Sequence, residues 1–291
     1  MKKMLVTGAT GFTGSYVVPM LLEHGFKVRC LLRPASEKKK YRVDEVEWVY
    51  GDLDNLSSLI EAMRDVEILV NLASIGFGHA PNIVQGAIRS GIQRAIFIST
   101  TAIFTTLNAP SKSTRLSAEK TIKESGLNYT ILRPTMIYGS SRDRNMCRLI
   151  RYLTRWPAIP ILGSGTSFQQ PVYAGDVAKA VIDCVSNVRT SNKDYDLPGA
   201  KALTYNEVID IICHLIGRKA FKIHLPVSPV VLTLGGIERL GFRLFIKAEQ
   251  IKRLKEDKAF VFDQAAQDFG YRPRSFEEGI HLELKEMGLV S

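Results

Sequence analysis

The sequence predicts an α/β fold built on a doubly wound parallel sheet, followed by a smaller, mostly helical C-terminal lobe. Three observations predict it. Short apolar runs alternate with amphipathic stretches through the first half of the chain, the signature of right-handed strand–helix–strand units. A glycine-spaced turn, Gly8-Ala9-Thr10-Gly11-Phe12-Thr13-Gly14, stands directly behind the first apolar run. Beyond Gly139 the alternation gives way to a basic helical stretch and a Pro/Gly-rich region from Pro157 to Gly165, where the chain is expected to leave the sheet.

Taken in order, Met4 to Thr7 reads as the first strand and Ser15 to His24 as the helix behind it, closed by Gly25. Lys27 to Leu32 has a continuous apolar core and reads as the second strand, with Glu47 to Tyr50 as the third. Leu56 to Arg64 is helical in pattern, Glu67 to Leu72 is a fourth strand, Asn82 to Ser90 a helix and Arg94 to Ser99 a fifth strand. An amphipathic helix from about Ser113 to Glu124 stops at Gly126 and leads into a sixth strand, Tyr129 to Leu132. Helices are then expected over Met146 to Thr154, Asp176 to Ser186, Tyr205 to Ile216, Pro229 to Leu240 and Glu249 to Leu254. The expected division is a sheet-bearing domain over 1–139, its sheet completed by segments within 168–198, and a lobe over 140–291.

Composition narrows the function classes. With 291 residues and 45% hydrophobic content the chain can bury a large core. Cys30, Cys147, Cys184 and Cys213 are scattered without a C-x-x-C pair, which fits reduced thiols and a cytosolic protein. The three-residue apolar run before Thr7 is too short for a signal peptide, so the fold is expected to begin at the N-terminus. Five histidines show no ligand spacing, and no metal site is expected. The net charge of +10 is dispersed, with clusters at Lys38 to Lys40 and Lys247 to Lys258. Nucleic acid, an anionic membrane surface or a phosphorylated ligand could explain the charge, which alone does not choose among them; no nucleic-acid-binding motif accompanies it.

The glycine turn carries the most specific chemistry. Gly8 permits a tight turn, Gly11 allows the backbone to approach a diphosphate, and Gly14 allows close packing of helix on strand, while helix N-terminal amides face the anion. This is the turn of a Rossmann dinucleotide site. The residue that ends the second strand lies beside the adenosine ribose, and here it is Arg33. Arginine pairs with a 2′-phosphate where an acidic residue would bridge ribose hydroxyls, so NADP is expected, with NAD as the alternative. Asp52, after the third strand, can accept from the adenine amino group or serve a simple turn.

These motifs, with G-D-L at 51–53, N-L-A-S at 71–74, L-R-P-T-M-I-Y-G at 132–139 and Q-Q-P-V-Y-A-G-D-V-A at 169–178, resemble the short-chain dehydrogenase/reductase superfamily over nearly the whole chain. The resemblance is to its extended and atypical branches: nucleotide-sugar epimerases and dehydratases, NmrA-like NADP-binding regulators, and the nucleotide-binding accessory subunit of mitochondrial complex I. It implies that Gly8, Thr10, Gly11, Phe12, Thr13 and Gly14 hold the pyrophosphate and that Asp52 and Leu53 hold the adenine. By the same resemblance Leu72, Ala73 and Ser74 line the ribose, Pro134 to Met136 border the nicotinamide, and Asp176 sits where the lobes join.

Active members of that superfamily carry a Tyr and a Lys four residues on, the ammonium lowering the phenol's pKa. None of the ten tyrosines here is followed by lysine at that spacing. If Glu119 matches the glutamate of that helix, Ser111 takes the Tyr position and Arg115 the Lys position. Serine is too weak an acid and arginine is locked in its charged form. Thr100, within Ser99-Thr100-Thr101, matches the superfamily's catalytic Ser or Thr, and equally fits a hydroxyl satisfying strand-end backbone. His79 and Tyr138, near the sheet edge where open α/β proteins bind ligands, are the remaining acid–base candidates, each also readable as structural.

Three functions stay open at this point. One is a reductase or epimerase of unusual mechanism on a sugar-like, nucleotide-linked or lipid-linked substrate. The second is a non-catalytic NADP(H)-binding sensor, scaffold or assembly factor that a protein partner reads. The third is peripheral membrane contact through 227–246, where apolar residues stand among Arg239, Arg243 and Lys247.

Overall fold

The structure is a computed structural model, and residues 2–34, 46–106, 110–226 and 256–290 are described. Its centre is a parallel sheet of seven strands: β1 (Lys3–Thr7), β2 (Lys27–Leu32), β3 (Val46–Tyr50), β4 (Ile68–Asn71), β5 (Arg94–Ile98), β6 (Tyr129–Pro134) and β11 (Lys193–Leu197). Their spatial order is β11-β6-β5-β4-β1-β2-β3, every neighbouring pair parallel.

Alternation along the strands builds two cores. Met4, Val6, Val28, Cys30, Val70 and Ile96 point to one face, against α1 (Gly14–Glu23) and α6 (Ala174–Val185). Leu5, Leu31, Leu69, Ala95, Phe97 and Ile131 point to the other, covered by α2 (Leu56–Ala62), α3 (Ala80–Arg89) and α4 (Pro110–Lys123). Strands buried on both faces read as unbroken apolar runs, which is why these were visible in the sequence. Each fully buried large side chain, Phe97 among them, contributes about 1.5–3 kcal/mol relative to exposure.

The seventh strand departs from the six that alternation predicts. Lys-Asp-Tyr-Asp-Leu at 193–197 lies at the sheet edge, with Tyr195 and Leu197 turned into the first core. Its charged positions are matched locally: Asp194 pairs with Lys123 at 2.9 Å and with Arg133, and Lys193 with Asp268 at 2.8 Å. Paired charges hide such an edge strand from any pattern search.

A third core belongs to the C-terminal lobe. Tyr138, Met146, Ile150, Ile159, Val208 and Ile280 pack there, from α5 (Met146–Arg155), α7 (Tyr205–Leu215) and α9 (Phe276–Glu286), beside α8 (Asp263–Phe269). Helices α7 and α9 begin with reciprocal capping boxes, Thr204 with Glu207 and Ser275 with Glu278. Short strand pairs complete the lobe, including β8 (Ala158–Leu162) parallel to β13 (Phe221–Leu225). The helices expected at 229–240 and 249–254, the segment 227–246 and Lys38 to Lys40 lie outside the described residues. Among the described residues no helix is long and apolar enough to cross a membrane.

Candidate functional site

Strand order reverses between β1 and β4, and open α/β sheets bind ligands in the crevice at such a point. The turn after β1 and the turn after β4 form its two walls. A buried pair fixes their spacing: the Thr7 hydroxyl donates to Asn71 Oδ1 at 2.7 Å, and Asn71 Nδ2 donates to the Ala73 carbonyl at 2.9 Å. The walls therefore approach closely at Gly8. Its φ is +69°, and a Cβ there would sit 2.7 Å from the Ala73 nitrogen.

Gly14 opens α1, and a Cβ on it would stand 2.3 Å from the Ala9 carbonyl oxygen. Only glycine lets the helix start this close to the strand end. Ser15 donates its amide to the Gly11 and Phe12 carbonyls, so the turn 10–13 runs across the positive end of the helix dipole. Gly11 is exposed on its outer side. This cradle fits a dinucleotide diphosphate in size, charge and backbone chemistry, with Thr10, Phe12 and Thr13 alongside.

The other cofactor candidates line the same edge. Arg33 is exposed immediately after β2. Asp52 follows β3, and its Oδ1 accepts the Asp54 amide at 3.0 Å, an Asx turn that fixes the carboxylate. The carbonyl of Leu53 accepts from Asn82 at 3.1 Å. Leu72 donates its amide to Thr7, and the hydroxyl of Ser74 accepts from Gly76 at 3.2 Å. Pro134 ends β6 opposite Leu197, and Met136 follows it.

Thr100 ends the crevice beyond β5. Its hydroxyl oxygen accepts the Ala102 amide at 3.2 Å, capping the 3-10 turn Thr101–Phe104. The same hydroxyl lines a cavity of about 640 Å³ together with Thr101, Thr135, Met136, Asn145 and Glu256. Thr100 thus caps backbone, and it also stands in the wall of this cavity.

Ser111 and Arg115 stand one turn apart on α4, Arg115 Nη1 donating to the Ser111 hydroxyl at 2.6 Å. The guanidinium lies against Gly76 of the β4 turn. The pair keeps the four-residue spacing of a Tyr-x-x-x-Lys pair. Glu119, the residue that set this alignment, is buried, and it accepts from Ser99 at 2.6 Å and from Arg133 at 2.6 Å. Burial alone would lower the Arg133 pKa, but Glu119, Asp194 and Asp196 more than offset this and hold it charged.

Two acid–base candidates stand elsewhere. Tyr138 fills the lobe core, 1% exposed, its phenol donating to the Phe276 carbonyl at 3.4 Å, with Gly279 leaving room for the ring. Burial, reinforced by Asp176 and Glu283, raises its pKa well above the ordinary value, so it does not serve as an acid facing the crevice. His79 Nδ1 meets Asp54 Oδ1 at 2.7 Å on the β3 side, and neither residue lines the Thr100 cavity. Tyr138 is thus part of an apolar core, and His79 is paired with a carboxylate away from the Thr100 cavity.

The lobe reaches back to the glycine turn through residues that sequence reasoning missed. The Tyr16 phenol donates to the Gly139 carbonyl at 2.5 Å, and Arg142 donates to the Thr10 carbonyl at 3.4 Å. Arg274 donates to Asp176 at 2.9 Å and covers the Tyr173 ring at 4.6 Å. Only the last had a signal, Asp176 in the motif at 169–178.

A glycine-cradled helix terminus at the switch point of a seven-stranded parallel sheet defines a Rossmann-fold dinucleotide-binding protein. The chain belongs to the NAD(P)H-binding family, whose model matches residues 8–187. It is 25% identical over 277 residues to the mitochondrial NADH dehydrogenase [ubiquinone] 1 alpha subcomplex subunit 9 of Dictyostelium discoideum, across 89% of this chain and 73% of that protein. It is 28% identical over 244 residues to a ceramide reductase of Caulobacter vibrioides, across 80% of this chain and 76% of that one. Its fold matches the UDP-glucose 4-epimerase of Thermotoga maritima, solved with UDP-glucose, with a TM-score of 0.77 over 98% of both chains at 18% identity.

Proposed function

We propose that this protein is a cytosolic NADP(H)-dependent oxidoreductase, a reductase or epimerase acting on a lipid-linked or sugar-like substrate without a Tyr-x-x-x-Lys pair. The observation that carries it is the cavity of about 640 Å³ at the ends of β5 and β6, with the Thr100 hydroxyl in its wall. A scaffold has no need of a hydroxyl-lined chamber at the nicotinamide end of the crevice. Bound NADP(H) supplies or accepts the hydride. Thr100 donates a hydrogen bond to the reacting oxygen, Thr135 and Met136 border it, and Arg33 takes the 2′-phosphate. The cytosolic assignment is supported by four buried, unbridged cysteines, with burial pushing the thiols of Cys30 and Cys184 up to about 12.

The test is NADPH oxidation with a panel of long-chain ketones and nucleotide-linked sugars. Thr100→Val is expected to abolish turnover while leaving NADPH affinity within about twofold, since one hydroxyl touching only the reacting oxygen adds little to cofactor binding. Unchanged turnover in Thr100→Val removes that residue from the mechanism.

A second reading, an NADP(H)-binding scaffold or assembly factor, is favoured by one observation. Arg115 and Ser111 bond to each other, leaving no phenol–ammonium pair to move a proton. Supporting it would take absence of turnover with every substrate, together with a protein partner retained only when NADPH is present.

A further inference from the structure

The C-terminal lobe holds a second cavity, of about 720 Å³, that adjoins the Thr100 chamber: Met136, Asn145 and Lys258 line both. Its size is that of a site for a small organic ligand. Its walls are apolar, formed by Met146, Leu149, Ile159, Tyr205 and Val208. Its charges are of one sign. Arg144, Arg148 and Lys258 line it, and among the described residues no Asp or Glu does. The Thr100 chamber, by contrast, carries Glu256 and Asp257.

Arg144 precedes the N-cap of α5 and Arg148 stands in its first turn, and among the described residues neither has an ion-pair partner. By contrast Arg133 is matched by Glu119 and Arg274 by Asp176. Two unmatched guanidiniums on the wall of an apolar chamber favour an anion whose remainder is greasy. A nucleotide sugar, polar along its whole length, would find only Asn145, Gln169 and the phenols of Tyr152 and Tyr205 as neutral polar groups among the described residues lining the chamber.

We infer that the lobe cavity takes an anionic amphiphile, an apolar chain seated among Leu149, Ile159 and Val208 with its phosphate or carboxylate met by Arg144 and Arg148. This deepens the reading of Thr100 as the reacting end: the apolar chamber selects the substrate and the hydroxyl chamber receives the group that reacts.

The test is calorimetric binding of decyl phosphate, decanoate, decanol, inorganic phosphate and UDP-glucose to the full-length protein, below micellar concentrations, with and without NADPH. Decyl phosphate or decanoate is expected to bind at least tenfold more tightly than decanol or inorganic phosphate, and the two alkyl anions distinguish a phosphorylated from an acyl ligand. The double variant Arg144→Gln/Arg148→Gln is expected to weaken that binding at least tenfold, with its melting temperature and NADPH affinity unchanged because both side chains are exposed. Tighter binding of UDP-glucose than of either alkyl anion, or alkyl-anion binding indifferent to the double variant, overturns the inference. Failure of NADPH to bind would instead remove the oxidoreductase reading, and the alkyl-anion result without cofactor would still decide this one.

Discussion

Glu119 and Arg133 meet between α4 and β6 with Oε2 and Nη2 2.6 Å apart, and Ser99 at the end of β5 closes the group by donating to Glu119 at 2.6 Å. The three residues tie the helix of the absent catalytic pair to the two strands whose ends build the Thr100 chamber. Removing one partner strands the other in a buried site. Glu119→Leu is therefore expected to cost about 3 kcal/mol of stability, the lower part of the range for broken buried pairs because Asp194 and Asp196 still face Arg133. Urea denaturation measures it; a loss under about 1 kcal/mol would show that the group is peripheral to the fold.

The glycine turn makes a sharper claim on binding. In Gly14→Ala the new Cβ meets the Ala9 carbonyl at 2.3 Å and must push the start of α1 away from the strand. NADPH affinity is expected to fall at least tenfold, about 1.4 kcal/mol. Titration calorimetry beside a thermal melt separates lost binding from lost fold, and retention of wild-type affinity refutes the cradle.

Arg33, exposed immediately after β2, is proposed to choose between the two dinucleotides. On that proposal Arg33→Glu removes a charge-assisted bond to a 2′-phosphate worth about 1.5–3 kcal/mol. The ratio of NADPH to NADH affinity is expected to drop between about tenfold and a hundredfold. A constant ratio would assign the discrimination elsewhere.

Stability is expected to depend on pH through α9. Burial, then the neighbouring Asp143, pushes Glu283 from an ordinary 4.5 up to about 10, with Glu286 adding to the same effect. Ionised, both Glu283 oxygens and Asp143 Oδ2 are buried with no donor; one proton shared between the two carboxyls supplies it. The folded state thus holds a proton that the unfolded chain releases above about 4.5. The sign follows: this contribution is complete below 4.5 and is eroded as pH rises toward 10. Denaturation midpoints of the wild type should fall between pH 6 and 9 more steeply than those of Glu283→Gln, about 3 units being enough to resolve the slopes; parallel slopes would exclude the shared proton.

The sheet was largely legible because its interior strands are buried on both faces and their apolar runs have no other use. Glycines at 25, 91 and 126 marked the ends of helices by the same logic, each with a positive φ. The edge strand at 193–197 was not legible, since its alternating aspartates are paid for by Arg133 and Lys123, far away in sequence. At the candidate site, backbone-driven positions such as Gly8 and Gly14 could be read from spacing alone. The Ser111–Arg115 bond, the burial of Tyr138 and the Glu119–Arg133 group depend on tertiary packing, which no spacing records. His79 was readable only as a titratable residue near the edge; its partner Asp54 comes from a different turn.

The phenol of Tyr16 on the Gly139 carbonyl and the guanidinium of Arg142 on the Thr10 carbonyl make the diphosphate turn and the lobe one mechanical unit. An occupant of the lobe that shifts either bond is expected to alter the turn. Thermodynamic reciprocity then requires that an occupant of the lobe change dinucleotide affinity by the same factor as the dinucleotide changes its own. On that expectation a bound dinucleotide is a gauge of lobe occupancy.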